Sequence, residues 1–119
     1  FLVACRVSGL DAAVDCWGGR VAASSEELTT VQPVAPIDYT SNLACPLLGI
    51  FGNDDQGPSP EQVTRHEEEL KRHEKNYQFH RFDGAGHGFW YYHTDRYQPQ
   101  QAMDAWQKVF EFFGEHLQG

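Results

Sequence analysis

The run Cys45-Pro46-Leu47-Leu48-Gly49-Ile50-Phe51 constrains this chain more than any other segment. Its apolar residues are continuous rather than alternating, and Gly52-Asn53-Asp54-Asp55 cuts the run off. A strand with one wet face alternates apolar and polar residues, whereas a strand covered on both faces does not. The pattern therefore predicts a strand over Leu47–Phe51 inside a parallel sheet with helices on either side.

The flanking segments agree with that placement. Phe1 to Arg6 is apolar from its first residue and carries no cap, so it reads as the second half of a buried helix. On that reading the chain is expected to be part of a larger domain. Val7-Ser8-Gly9 stops the helix, and Asp11 to Trp17 reads as a short strand broken by Gly18-Gly19. Residues 20 to 45 contain Ser24-Ser25, Pro33 and Pro36 without any sustained period. They are expected to form an irregular connection with one helical turn near Glu26 to Leu28.

Beyond the central run, Ser59 and Pro60 are an N-cap and a first-turn proline, which start a helix over Glu61 to Lys75. Val63, His66, Leu70 and His73 form its inward stripe. Tyr77 to Phe82 is strand-like, and a last helix is expected over Gln100 to Leu117. In that helix Ala102, Ala105, Trp106, Val109, Phe113 and Leu117 recur at helical steps as a core-facing stripe. Strand, crossover, strand, helix, strand, helix is the order of a layered α/β domain with right-handed parallel connections.

Composition excludes several functions. At 119 residues the chain holds one domain at most. A formal charge of -8 disfavours nucleic-acid and anionic-membrane binding, which need clustered Lys and Arg. No apolar run nears the ~20 residues that span a bilayer, and no signal-peptide pattern is visible. Cys5, Cys16 and Cys45 lack framework or zinc spacing and read as reduced thiols of a cytoplasmic protein.

Two loops carry the chemistry. In open α/β sheets, reactive groups lie beyond the carboxyl ends of the strands. Asp55 and His87 both fall there, 32 residues apart, which is one helix plus one strand. His87 sits in Gly84-Ala85-Gly86-His87-Gly88-Phe89, a glycine-framed loop suited to a general base. Asp55 would accept the imidazole N–H and fix its tautomer, with Asp54 as the competitor. An ordinary turn histidine and a turn-forming aspartate are the plainer alternatives. No convincing nucleophile accompanies them, because an elbow needs Gly-x-(Ser/Cys)-x-Gly. Ser8 has Arg6 at the first glycine position, and Cys16 has Val14 there. Cys16 reads mainly as a packed thiol at a strand end. His66, His73, His80 and His87 recur at intervals of seven, but they fall on a helix, a strand and a loop and do not suggest a metal site. Phe89, Trp90 and Tyr91, with Trp17, are candidates for lining an apolar substrate pocket. Packing under the last helix is the equal alternative for the aromatic run.

Three segments bear a family resemblance: Asp11 to Gly19, Cys45 to Asp55, and Asp83 to Phe89. Together with the ending from Ala105-Trp106 to Phe112-Phe113, they resemble the carboxyl-terminal half of dienelactone hydrolases. The resemblance implies an α/β-hydrolase fold, no cofactor, and hydrolysis of small esters or lactones by a Cys-Asp-His triad. By motif, Asp55 takes the acid's place and His87 the histidine's. The family's nucleophile lies in a Gly-x-Cys-x-Gly-Gly elbow just before the helix that Phe1 to Arg6 resembles. The resemblance therefore implies that nucleophile and oxyanion-hole amides lie outside these residues, leaving them inactive alone. An arginine that follows the histidine by four residues in well-known members is Tyr91 here, which argues against a dienelactone substrate. A rival reading is a non-catalytic assembly module. In it, the open edge of strand 12–17 pairs with a second copy or with a complementary amino-terminal half.

Overall fold

A computed structural model describes residues 1–118. Its elements are α1 (Leu2–Arg6), β1 (Ala13–Cys16), a 3-10 helix (Pro36–Asn42), β2 (Leu47–Gly52), α2 (Pro60–Arg72), β3 (Tyr77–Phe82) and α3 (Pro99–His116). The strands form one parallel sheet in the order β1-β2-β3. Ala13 stands opposite Leu47, and Leu47 opposite Tyr77.

β2 is central because both its neighbours and both its faces are occupied. All six of its residues are buried, as the unbroken apolar run requires. Leu47 points to a layer that includes Ala4 and Cys5 of α1 and Leu70 of α2. Leu48 and Ile50 point to the opposite layer, against Ala102, Ala105, Val109 and Phe112 of α3. This is an α/β fold with helices on both faces of a parallel sheet.

α2 starts where its sequence says it should. Ser59 Oγ accepts the Gln62 N–H and the Gln62 side-chain oxygen accepts the Ser59 N–H, a complete capping box ahead of Pro60. The helix closes earlier than Lys75. Glu74 takes a left-handed conformation (φ 54°), and the Lys75 N–H reaches back to the Leu70 carbonyl. Arg81 then ties α2 to β3 through Glu67 at 3.0 Å and Thr64 at 2.9 Å.

Two other expectations are corrected. The stretch near Glu26 to Leu28 makes only a turn, with the Glu27 N–H bonded to the Ser24 carbonyl. The helical element of the long connection comes later, where Pro36 occupies a first-turn position that needs no N–H. In α3, the buried line runs Ala102, Ala105, Val109, Phe112. Trp106 is 42% exposed and Leu117 50% exposed, so neither belongs to the stripe. Each residue turns a helix by ~100°, so the aromatic beside a buried residue lies well off its face. Ala105-Trp106 and Phe112-Phe113 are such adjacent pairs, and apolarity alone did not rank their members.

His66 is fully buried between Phe1 and Phe79, and neither ring nitrogen has a hydrogen-bond partner. Burial, helped by the positive charge of the Phe1 amine, pushes it down from 6.5 to about 4. The folded form therefore resists a proton that the unfolded chain accepts. Its contribution holds above 6.5 and is lost as pH falls from 6.5 towards about 4.

Two outcomes are expected. Ser59→Ala should lower unfolding free energy by about 1 kcal/mol in urea denaturation, through loss of the cap. His66→Leu should flatten the acid loss of stability below 6.5, removing at most about 3 kcal/mol of pH-dependent destabilisation. Asp15 is also buried and has a raised pKa, so it pulls the opposite way as pH falls. The informative quantity is thus the difference between the native chain and His66→Leu across that range.

Candidate active site

The carboxyl ends of β2 and β3 are stitched together by short bonds. The Asn53 N–H donates to the Phe82 carbonyl and the Asp54 N–H to the Ala85 carbonyl, both at 2.9 Å. Asn53 Nδ2 also donates to Asp83 Oδ1 at 2.7 Å. This closeness depends on Gly52. A Cβ at that position would collide with the Ala85 carbonyl oxygen and carbon, so a side chain would wedge the loops apart.

Asp55 and His87 face each other across that seam. Asp55 is buried, with its side chain 4% exposed, and His87 is 48% exposed. The gap between His87 Nδ1 and Asp55 Oδ2 is 2.9 Å. Asp55 Oδ1 accepts the Gly57 N–H, also at 2.9 Å. Both carboxylate oxygens are therefore engaged, which locks the orientation of the acid. Asp54 points elsewhere and is exposed. An ionised carboxylate only accepts, so the proton of a neutral His87 lies on Nδ1 and Nε2 keeps its lone pair. Nε2 has no protein partner among the described residues. The pair can thus take a proton at Nε2 while Asp55 stabilises the resulting imidazolium.

Trp17 forms the wall beside this pair. It directly follows β1 and takes φ 52°, a left-handed conformation that is strained for a bulky side chain. Its indole centre lies 6.1 Å from His87 and 6.1 Å from Tyr91. It packs against Phe89 at 5.3 Å and Trp90 at 4.6 Å. Phe89, Trp90 and Tyr91, three of the aromatics proposed for a substrate pocket, are therefore gathered around the fourth, Trp17, with unequal access. Tyr91 is 47% exposed and Trp90 is half-buried. Phe89 is corrected: it has no exposed surface and belongs to the core between sheet and α3.

Cys16 does not join the site. It points into the α3-facing layer, and no hydrogen bond connects it to His87 among the described residues. Burial, then the neighbouring Asp15 charge, pushes its thiol up to about 12, so the nucleophilic thiolate is suppressed. The histidines at intervals of seven are scattered. His66 is buried on the inner face of α2, His73 stands 3.6 Å from Glu69, and burial on β3 lowers the pKa of His80. Among the described residues no group of three His, Cys, Asp or Glu side chains is arranged to hold a metal ion.

Asp15 escaped the sequence reading. It is almost fully buried, with Oδ2 unpartnered, and its carboxylate packs so closely on Gly18 that a Cβ there would overlap Oδ1. Burial raises its pKa, partly offset by the Phe1 amine and the Gly18 N–H. The available signal was Asp-x-x-Gly at a strand end, where an aspartate side chain bonds nearby backbone. Carboxylate and glycine together shape the turn that sets Trp17 against His87.

Comparison with known proteins places this geometry. The dienelactone hydrolase family model matches residues 1–117. A candidate carboxymethylenebutenolidase of Methylorubrum extorquens is 29% identical over 100 residues, covering 84% of this chain and 33% of the relative. One from Synechocystis is also 29% identical, covering 86% of this chain and 48% of the relative. The chain thus spans half or less of the length of these curated relatives. Among solved structures, a candidate dienelactone hydrolase from Klebsiella pneumoniae superposes with TM-score 0.73 at 22% identity, covering 86% of this chain and 50% of the other. The acylaminoacyl peptidase of Pyrococcus horikoshii superposes with TM-score 0.77 at 17% identity, covering 97% and 22%. Sequence match and superposition agree: the chain belongs to the dienelactone hydrolase family and carries the carboxyl-terminal portion of an α/β-hydrolase fold.

Proposed function

We propose that Asp55 and His87 are the acid and base of a hydrolytic site for small esters or lactones, and that its nucleophile is not among these residues. The observation that supports this most is the 2.9 Å bond from His87 Nδ1 to a carboxylate whose other oxygen is already fixed. That arrangement leaves Nε2 as the proton acceptor. It would take the proton of an attacking thiol or hydroxyl, then return it to the leaving alkoxide, while Asp55 holds the ring in register. Tyr91, packed over Gly88 beside His87, offers the reacting group an apolar wall, and Trp17 backs it.

The three cysteines are poor candidates for the missing group. Burial raises the pKa of all three, to about 11 for Cys5 and about 12 for Cys16. Their unpaired state also supports a reducing, cytoplasmic setting. Substrate identity and turnover belong to a protein that holds all parts of the site, and the matched relatives are two to three times longer than the span they share with this chain.

Two measurements test this reading. The purified 119-residue chain should release no burst of nitrophenol from a nitrophenyl ester and show no turnover above buffer. A burst that disappears in Cys16→Ser would overturn the assignment and make Cys16 the nucleophile. Separately, nitrogen NMR of the neutral imidazole should show His87 as the Nδ1–H tautomer. In Asp55→Asn, the Gly57 N–H still demands an oxygen at the Oδ1 position, which turns the amide nitrogen toward His87. A donor then meets a donor, so the tautomer should flip to Nε2–H. An unchanged tautomer in Asp55→Asn would remove Asp55 from the orienting role.

A further inference from the structure

We infer that the ester or lactone taken by this site is uncharged and carries a flat aryl or conjugated group close to its reacting carbonyl, and that Tyr91 is the residue that selects it. The inference rests on the reading of Asp55 and His87 as acid and base. Every contact it uses joins residues at the carboxyl ends of β1, β2 and β3.

Tyr91 is held in place by its backbone. Its N–H donates to the Gly88 carbonyl at 3.0 Å, and its own carbonyl accepts the Thr94 N–H at 3.2 Å and the Thr94 hydroxyl at 3.0 Å. The Gln98 N–H closes the base of this loop on the Phe89 carbonyl at 2.9 Å. The Tyr91 ring then lies directly on Gly88, where an added Cβ would stand 2.8 Å from Cδ2. Gly88 also takes φ 71°, so both its backbone and the ring above it call for glycine. One glycine therefore has the imidazole as its neighbour in the chain and the phenol ring against its Cα. Trp17 stands 6.1 Å from both rings, tilted 48° to His87 and 39° to Tyr91. A flat group resting on Tyr91 brings an attached carbonyl to the side where His87 stands. Aromatic rings in offset or edge contact attract one another beyond what their burial supplies.

The charge around the pair selects against acids. Asp54 and Asp55 follow β2, and Asp83 follows β3, where its Oδ1 accepts Asn53 Nδ2 at 2.7 Å. Neither loop, Asn53 to Ser59 or Asp83 to His93, contains a lysine or arginine. Arg96 comes next but follows Asp95, so that turn adds no net charge. Arg81 is turned toward α2, where Glu67 and Thr64 hold it, and the Arg20 guanidinium is bound to the Glu27 carbonyl. Among the described residues, a substrate carboxylate would thus meet other carboxylates and no matching cation on the two loops. If it reached Nε2, it would stabilise the imidazolium, the form that cannot accept a proton. An uncharged group avoids both penalties.

Three trifluoroethyl esters test this on the polypeptide that holds these residues together with their nucleophile. The phenylpropanoate, cyclohexylpropanoate and (carboxyphenyl)propanoate share a reacting carbonyl and a leaving group, and proton release gives kcat/KM for each. The phenyl ester should be fastest. The carboxyphenyl ester should be about ten-fold slower, through like-charge repulsion. The cyclohexyl ester should be about five-fold slower, since it offers no ring face. Tyr91→Phe should keep this order, Tyr91→Ala should remove the preference for phenyl over cyclohexyl, and Tyr91→Lys should erase the deficit of the carboxyphenyl ester. Equal rates for the phenyl and carboxyphenyl esters would overturn the inference, because a cation from outside these loops would then be offsetting Asp54 and Asp83. So would a phenyl preference that survives Tyr91→Ala, or one already lost in Tyr91→Phe, which would give selection to the hydroxyl. Turnover undiminished in His87→Ala, or no turnover of any ester, would instead remove the acid–base reading and this inference with it.

Discussion

Everything in this molecule is hung from a strand that water never reaches. β2 contributes backbone to both neighbours and side chains to both layers, and its six residues are all buried. Two consequences follow from that position. The helices must divide between the two faces, because each face has an apolar surface to cover. The carboxyl ends of β2 and β3 must also emerge side by side, because parallel pairing in register leaves them nowhere else to go. The closeness of Asp55 and His87 is a result of sheet register first and of loop chemistry second.

Loop chemistry then sharpens what the register allows. Gly52 lets one loop touch the carbonyl of the other, and the Gly57 N–H fixes the second carboxylate oxygen. Asp15 and Gly18 shape the neighbouring turn, with Trp17 held in a conformation it would not choose alone. Strain of this kind persists only where surrounding contacts over-determine it, and the indole touches four aromatic rings.

Much of this was legible before any coordinates. Continuous apolarity revealed β2, Ser59-Pro60 revealed the start of α2, and the glycine frame singled out His87. What stayed hidden shares a physical cause: side-chain type does not report direction. Trp106 and Phe112 are both large and apolar, yet a rotation of a residue or two separates a surface ring from a core ring. Phe89, Trp90 and Tyr91 are neighbours in sequence but range from fully buried to half-exposed. Asp15 was hidden for the opposite reason, since a carboxylate in a strand is expected to face water and this one does not. The end of α2 was missed because Glu74 adopts a conformation that glycine or asparagine would have signalled.

The unequal exposure of the Asp55–His87 pair has a consequence for how such a site is assembled. The aspartate lies below the surface and the imidazole half above it. Orientation is thus settled from beneath, by backbone and glycine contacts that need nothing from the outer side. Whatever closes over His87 would bring dryness rather than order. In that sense the pair behaves like a socket: its alignment is built in from below, and its imidazole faces outward.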